Sequence, residues 1–180
     1  MKFYVVLCCI MTYSICSFLG CGEKTSCPRP MPTAMPDDLH VEAVYSGATV
    51  SPPHHYSYTI ELGQISPDSI RFAVDYGPYV LGETLWIESF DATQSDLERL
   101  YTRMYDNDIF RNNWDVFEDH PVGGSSRRLT IIAHSRQFAV PWWVRDESSV
   151  EPVYALIDSL VPAALWDSLW ARRERHIQGG

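Results

Sequence analysis

Apolar and polar residues alternate along much of the chain between residues 40 and 90. A period of two is typical of strands that pack one face on a core and leave the other face in water. Turn-forming glycine and proline residues separate the alternating segments. The pattern predicts four strands, over 40–45, 56–62, 70–76 and 85–90.

The period changes after residue 94, where apolar residues begin to recur three and four positions apart. This spacing places them on one face of an α-helix. They are Leu97, Leu100, Tyr101 and Met104. Ser95 and Glu98 match a capping box, in which each side chain bonds to a free backbone amide in the first turn. We therefore predict a helix that starts at about Ser95 and ends near residues 106–108.

Alternation returns in the second half of the chain and predicts a hairpin, with strands over 128–134 and 137–144. A second capping box, Ser148 with Glu151, then predicts another helix, which Pro162 separates from a final one. The apolar residues of these two helices are Val153, Tyr154, Ile157, Leu160, Val161, Leu165, Trp166, Leu169 and Trp170.

The predicted order of elements is four strands, one helix, two strands and a pair of helices. This order is typical of an α+β fold, in which an antiparallel sheet of about five or six strands carries helices packed on one face. The chain has 180 residues and shows no internal repeat. Its length suits one domain, which we place at 39–180.

Composition and charge narrow the class of protein. Hydrophobic residues make up 46% and aromatic residues 13% of the chain, which is enough for a core and excludes a disordered protein. The 14 Lys+Arg and 23 Asp+Glu residues give a formal net charge of −9. Nucleic acid is not an expected partner, because its binding needs a basic face.

The first 27 residues have the features of an export signal. All five cysteines lie there, so neither a disulfide framework nor a cysteine-held metal is expected in the folded part. Lys2 precedes a largely apolar run over 3–19, and Gly20 then precedes Cys21. A basic start, an apolar run and a small residue are the three zones of a secretory signal peptide.

The segment Phe18-Leu19-Gly20-Cys21 resembles the lipobox of bacterial lipoproteins. The resemblance implies that a signal peptide over 1–20 is removed and that Cys21 is lipidated and anchors the chain in a membrane. In such lipoproteins an aspartate directly after the lipidated cysteine resembles a signal for retention in the inner membrane. Gly22 stands at that position instead, so the resemblance implies the outer membrane in a host with two membranes. The alternative is an ordinary cleaved signal, secretion, and a disulfide between Cys21 and Cys27.

Residues 21–38 are rich in proline, which interrupts helices and sheets and favours an extended backbone. The prolines are Pro28, Pro30, Pro32 and Pro36. Met31 and Met35 lie in this segment without the apolar periodicity that would bury them. We expect a lipid-anchored, semi-rigid tether that ends where the domain begins.

The acidic stretch after the first predicted helix is the candidate for metal binding. Its carboxylates are hard oxygen ligands of the kind that calcium prefers, and the candidates are Asp106, Asp108, Asp115 and Asp119. The EF-hand pattern fails because Phe110 stands where an oxygen ligand is needed. A solvated acidic loop is the alternative, and we expect no metal and no cofactor. From the same stretch, Phe110, Trp114 and Phe117 are expected to pack on the core.

Trp142 and Trp143 follow Pro141 and form the most unusual local sequence. Neighbouring side chains on a strand point to opposite faces, so we expect at most one indole to enter the core. The other is a candidate ligand platform for a sugar, a peptide or the edge of a protein partner. The alternative is that it packs beneath the C-terminal helices.

No arrangement of residues predicts catalysis. The predicted domain has no G-x-S-x-G elbow and no cysteine, and the sequence does not bring any two carboxylates together. We expect a lipid-anchored cell-envelope protein with a non-catalytic binding or interaction domain, whose partner is an envelope protein or a glycan. The alternative is an envelope hydrolase with a carboxylate or serine site that the sequence does not reveal.

Overall fold

The computed structural model describes residues 31–47, 54–64, 67–75, 83–118 and 125–179. The signal peptide, Cys21, Cys27 and Asp119 lie outside these residues. The strands are β1 (His40–Gly47), β2 (His55–Gly63), β3 (Ser69–Asp75), β4 (Glu83–Ser89), β5 (Ser125–Ala133) and β6 (Arg136–Val140), and the helices are α1 (Gln94–Asp106), α2 (Glu147–Leu160) and α3 (Ala163–Gly179).

The six strands form one antiparallel sheet in the order β4-β3-β2-β1-β5-β6. Residues directly opposite each other on paired strands share a face of the sheet. One such row is apolar and consists of Ile70, Ile60, Ala43 and Leu129. An adjacent row on the other face is more polar and consists of Arg71, Thr59, Val44 and Arg128. The predicted α+β class is confirmed.

The helices pack on the face that carries the apolar row. The ring of Trp166 in α3 lies 5.0 Å from that of Tyr58, and the ring of Trp170 lies 5.1 Å from that of Phe72. The apolar stripe predicted for α1 is buried in full. We call the opposite side, which carries the row with Arg71, the open face.

Both of the predicted helix caps lie two residues too late. The N-cap of α1 is Thr93, whose hydroxyl accepts a hydrogen bond from the Asp96 amide at 3.2 Å, while the Asp96 carboxylate accepts one from the Thr93 amide. The N-cap of α2 is Asp146. Ser95 and Ser148 are therefore inside their helices. Thr93 and Asp146, two positions before them, are residue types that also cap helices well, and they provide the caps instead.

The β5–β6 hairpin turns at His134 and Ser135, which both have left-handed backbones with φ of 53° and 56°. Its second strand ends at Val140, well before the predicted end at residue 144. Pro141 has no amide to donate to a neighbouring strand, and Trp143 has a φ of 63°, which takes the chain into a turn. The prediction that the two tryptophans lie on a strand is wrong.

Residues 31–39, which we call the entry segment, pack on the domain. Met31 and Met35 are partly buried against the core. The Tyr101 hydroxyl donates to a backbone carbonyl of this segment at 2.6 Å. The Asp38 carboxylate accepts hydrogen bonds from both amides of the β5–β6 turn. The expectation that both methionines stay unburied is wrong, because contacts with the core, rather than helix or strand periodicity, bury them.

Candidate functional site

A cleft opens at the end of the sheet where β1 ends and β5 begins. Its volume is about 340 Å³, at the small end of the range of about 300–1,000 Å³ that is typical of ligand sites. Its walls come from β1, β5, the connection after β6, and α2. The aromatic and polar residues that line it are Tyr45, Ser125, Ser126, Arg127, Trp143, Glu147, Glu151 and Tyr154. We call it the Trp143 cleft.

Arg127 links this cleft to a carboxylate behind it. Its Nη1 lies 3.3 Å from Oε2 of Glu151, and its Nη2 lies 3.6 Å from Oδ2 of Asp158. The guanidinium also lies 5.3 Å from the centroid of the Tyr154 ring, within the range of a cation–π contact. Asp158 accepts a further hydrogen bond from the Tyr58 hydroxyl at 3.5 Å. The arginine is thus held between two acidic side chains and an aromatic ring.

Burial and neighbouring charges together set the protonation of this group. Burial raises the pKa of Asp158, although the charge of Arg127 and the hydrogen bond from Tyr58 oppose the rise. It acts to lower the pKa of Arg127, but Asp158 and Glu151 outweigh it and the net direction is upward. Burial also raises the pKa of Tyr58 and of Tyr154. The tyrosines are therefore neutral and the arginine is a fixed cation.

Trp143 lines the cleft from an uncommon backbone conformation. A left-handed backbone costs about 1–2 kcal/mol for a residue with a side chain, so the surroundings must hold it. The carbonyl of Trp143 accepts a hydrogen bond from the Phe117 amide at 3.0 Å, and a β-bridge joins Val116 to Val144. The segment before residue 118 therefore fixes the turn that holds Trp143 at the cleft.

Trp142 lies elsewhere, although it is the next residue in the chain. The guanidinium of Arg128 lies 5.6 Å from its ring centroid, and Trp142 is not among the residues that line the cleft. The two predicted platform residues are therefore separated. Trp143 belongs to the candidate site and Trp142 does not.

The three acidic candidates that the structure describes, Asp106, Asp108 and Asp115, do not form a metal-binding group. Asp108 lies 3.5 Å from Arg111, and Asp115 lies 3.6 Å from Arg145. Asp106 is the last residue of α1. Within the described parts of the chain, no three potential ligands form a group that could hold a metal ion.

The aromatic residues of the same stretch differ in burial. Phe110 and Trp114 pack against the core as predicted. Phe117 is 44% exposed, so the expectation that it packs on the core is wrong. Its ring faces the guanidinium of Arg145 at 5.0 Å, a contact that does not need burial.

Most of the polar lining was not predicted from the sequence. Tyr154, on the apolar stripe of α2, and Tyr45, on an apolar strand face, pack in or against the core as that pattern predicts, but the pattern does not show that they also line a cleft. The position of Arg127, by contrast, could have been predicted from the alternation of β5. It is in phase with Leu129 and Ile131, whose side chains are buried, so a cation here must face the helices.

Comparison of the chain with protein-family models finds no match, and a search among curated proteins also finds none. Among the residues that the structure describes, no helix combines the length and the apolar character needed to cross a membrane.

Proposed function

We propose that this chain is a lipid-anchored protein of the cell envelope whose α+β domain binds a glycan in the Trp143 cleft without catalysing a reaction. The lipobox-like residues that end at Cys21 support the anchor. Gly22 after it favours the outer membrane in a host with two membranes. The cleft supports the binding function.

The observation that carries the proposal is the placement of Trp143. Strained backbones at bulky residues concentrate at ligand-binding positions, and Trp143, with a φ of 63°, is among the residues that line a cleft of about 340 Å³. Tyr45 and Tyr154 also line the cleft, although Tyr154 is only 6% exposed and Tyr45 stacks on Tyr58. A sugar ring has an apolar C–H face that packs well on such rings.

The polar groups of the cleft suit the hydroxyl rim of a sugar. Glu147 and Glu151 offer carboxylate oxygens that accept hydrogen bonds, and Ser125 and Ser126 both donate and accept them. Arg127 supplies donors, but its charge is shared with Glu151 and Asp158. The excess of carboxylates disfavours anionic polymers as ligands.

The neighbouring tryptophans provide a matched test of this site. Isothermal titration with soluble oligosaccharides of glucose and of N-acetylglucosamine is expected to show saturable binding to the purified protein. Trp143→Ala should weaken it at least tenfold, whereas Trp142→Ala should change it less than twofold. No binding to any oligosaccharide, or equal loss in both variants, would refute the glycan assignment. In the first case, in-cell crosslinking to an envelope protein through the cleft would point to a protein partner instead.

Lipid attachment is tested separately by fractionation. Cys21→Ser should release the protein from the membrane into the soluble fraction, because the acyl chains supply the anchoring free energy. Cys27→Ser is the control and should leave the membrane fraction unchanged. Retention of the Cys21→Ser protein on membranes would count against the anchor.

An envelope hydrolase is the second candidate, and one observation favours it. Glu147 and Glu151 stand one turn apart on α2 and both line the cleft. Paired carboxylates are the usual machinery of glycoside hydrolysis. Asp158, the carboxylate whose pKa burial raises, is not part of the cleft lining. Product formation from a bound oligosaccharide, abolished in Glu147→Gln, would favour the hydrolase over simple binding.

A further inference from the structure

The two edges of the sheet differ in how they are protected. The β6 edge has five residues, includes Arg136 and is followed by Pro141, features that discourage pairing with another strand. The β4 edge has seven residues, ETLWIES, without lysine, arginine or proline. In the described part of the chain β4 has β3 as its strand neighbour and ends the sheet.

The β4 edge also exposes apolar side chains. Leu85 and Ile87 are 46% and 57% exposed. They are paired with Ala73 and Arg71 of β3, which places them on the open face. A long edge strand with exposed apolar residues is a template for pairing with a further strand.

We propose that β4 pairs with β4 of a second copy of this chain, which joins two sheets into one through a two-fold axis at Trp86. The strand is self-complementary in this antiparallel register. Leu85 of each copy then lies opposite Ile87 of the other, and all seven residues are paired. Shifting the register by two residues leaves fewer pairs and places Leu85 or Ile87 opposite itself.

The charges of β4 agree with this register. Glu88 lies opposite Thr84 of the second copy, so its charge does not face a like charge across the new ladder. Glu88 is already neutralised by Arg172 of its own α3. Because the contact is made by the same surface on both copies, it closes at two and does not extend into a filament.

Sedimentation equilibrium of the full chain in density-matched detergent, under reducing conditions, tests the stoichiometry. The expected mass is twice the chain mass at micromolar concentration. Ile87→Lys should raise the dimer dissociation constant at least tenfold, because each copy then places an ammonium group at the ladder. Ala139→Lys on the exposed face of β6 is the matched control and should leave it unchanged. A monomer, a series of higher oligomers, or an equal effect of both variants would overturn the proposal.

Disulfide crosslinking tests the register without relying on a destabilising change. In Leu85→Cys/Ile87→Cys, Cα atoms across the ladder are expected about 4.5–5.5 Å apart, within the range of a disulfide. Mild oxidation should give a covalent dimer whose linked peptides join position 85 to position 87. Gln137→Cys/Ala139→Cys on β6 should give no more dimer than the parent chain. Equal crosslinking at both edges would refute the β4 interface.

Discussion

Replacing Arg127 with methionine removes a cation from between two carboxylates and keeps the unbranched apolar stem. Breaking a fully buried ion pair by removing one partner costs about 3–5 kcal/mol, whereas exposed pairs contribute about 0.2–1 kcal/mol. The side chains of Arg127 and Asp158 are 29% and 33% exposed, which places this pair between the two limits. We expect Arg127→Met to lower the free energy of unfolding by about 2 kcal/mol at pH 8, after solvent screening is taken into account. Glu151 adds little, because it is 64% exposed.

The loss should depend on pH in a defined direction. Burial raises the pKa of Asp158 and Arg127 opposes that rise, so removal of Arg127 raises the pKa further. A carboxyl whose folded pKa exceeds its unfolded pKa binds its proton more tightly in the folded state. Stability then increases as pH falls through the window between the two values. The deficit of Arg127→Met is therefore expected to be smaller at pH 5 than at pH 8.

Urea unfolding at both pH values measures these changes. Asp158→Asn and the double variant with Arg127→Met complete a double-mutant cycle. The double variant should lose less stability than the sum of the single variants, because asparagine does not leave an unpaired charge. Additivity within about 0.3 kcal/mol, or a deficit that grows on acidification, would refute this account of Arg127.

Two further predictions concern the entry segment and the β5–β6 turn. The amide hydrogen bonds from Ser135 and His134 lower the pKa of Asp38 below its ordinary value near 3.8, so their stabilising effect is present above that pH and is lost as pH falls below it. Wild-type protein should therefore lose thermal stability more steeply than Asp38→Asn below pH 4, and parallel melting curves would contradict this. Ser135→Gly should raise the free energy of unfolding by about 0.5 kcal/mol, because glycine adopts a φ of 56° without strain. Ser57→Gly in β2 should lower it in the same assay, and a change of equal sign in both variants would argue against backbone strain as the cause.

The fold was predictable from the local sequence pattern, because the buried positions of each helix or strand recur with the period of that element. The apolar stripe of α1 and the alternation of β5 each record which face meets the core. The start of α1 was predicted less well, since Thr93 with Asp96 and Ser95 with Glu98 are overlapping caps of the same chemical kind. Local sequence gives both caps the same donors and acceptors, whereas the chain just before Thr93 is held by a long-range contact, the hydrogen bond from the Ala92 amide to the Asp68 carboxylate.

The candidate site was predictable only in part, because strand register assembles it. Tyr45 and Arg127 are opposite each other on paired strands although 82 positions separate them in the chain. The sequence indicated Trp143 as a candidate because of its aromatic side chain. Its left-handed backbone could not be predicted, because it depends on the bridge between Val116 and Val144. The burial of Met31 and Met35 was not predictable from local sequence either, because contacts with distant parts of the chain bury them and leave no periodic pattern in the sequence.

The entry segment determines where a mechanical load reaches the domain. Asp38 and Tyr101 fasten this segment at the β5–β6 turn, whereas the Trp143 cleft begins at the first residues of β5. β5 has nine residues and therefore spans about 27 Å at about 3.4 Å per residue. Tension applied at Met31 is met first by hydrogen bonds at the far end of this strand. The residues that line the Trp143 cleft lie at the opposite end of β5 from the hydrogen bonds that resist this tension.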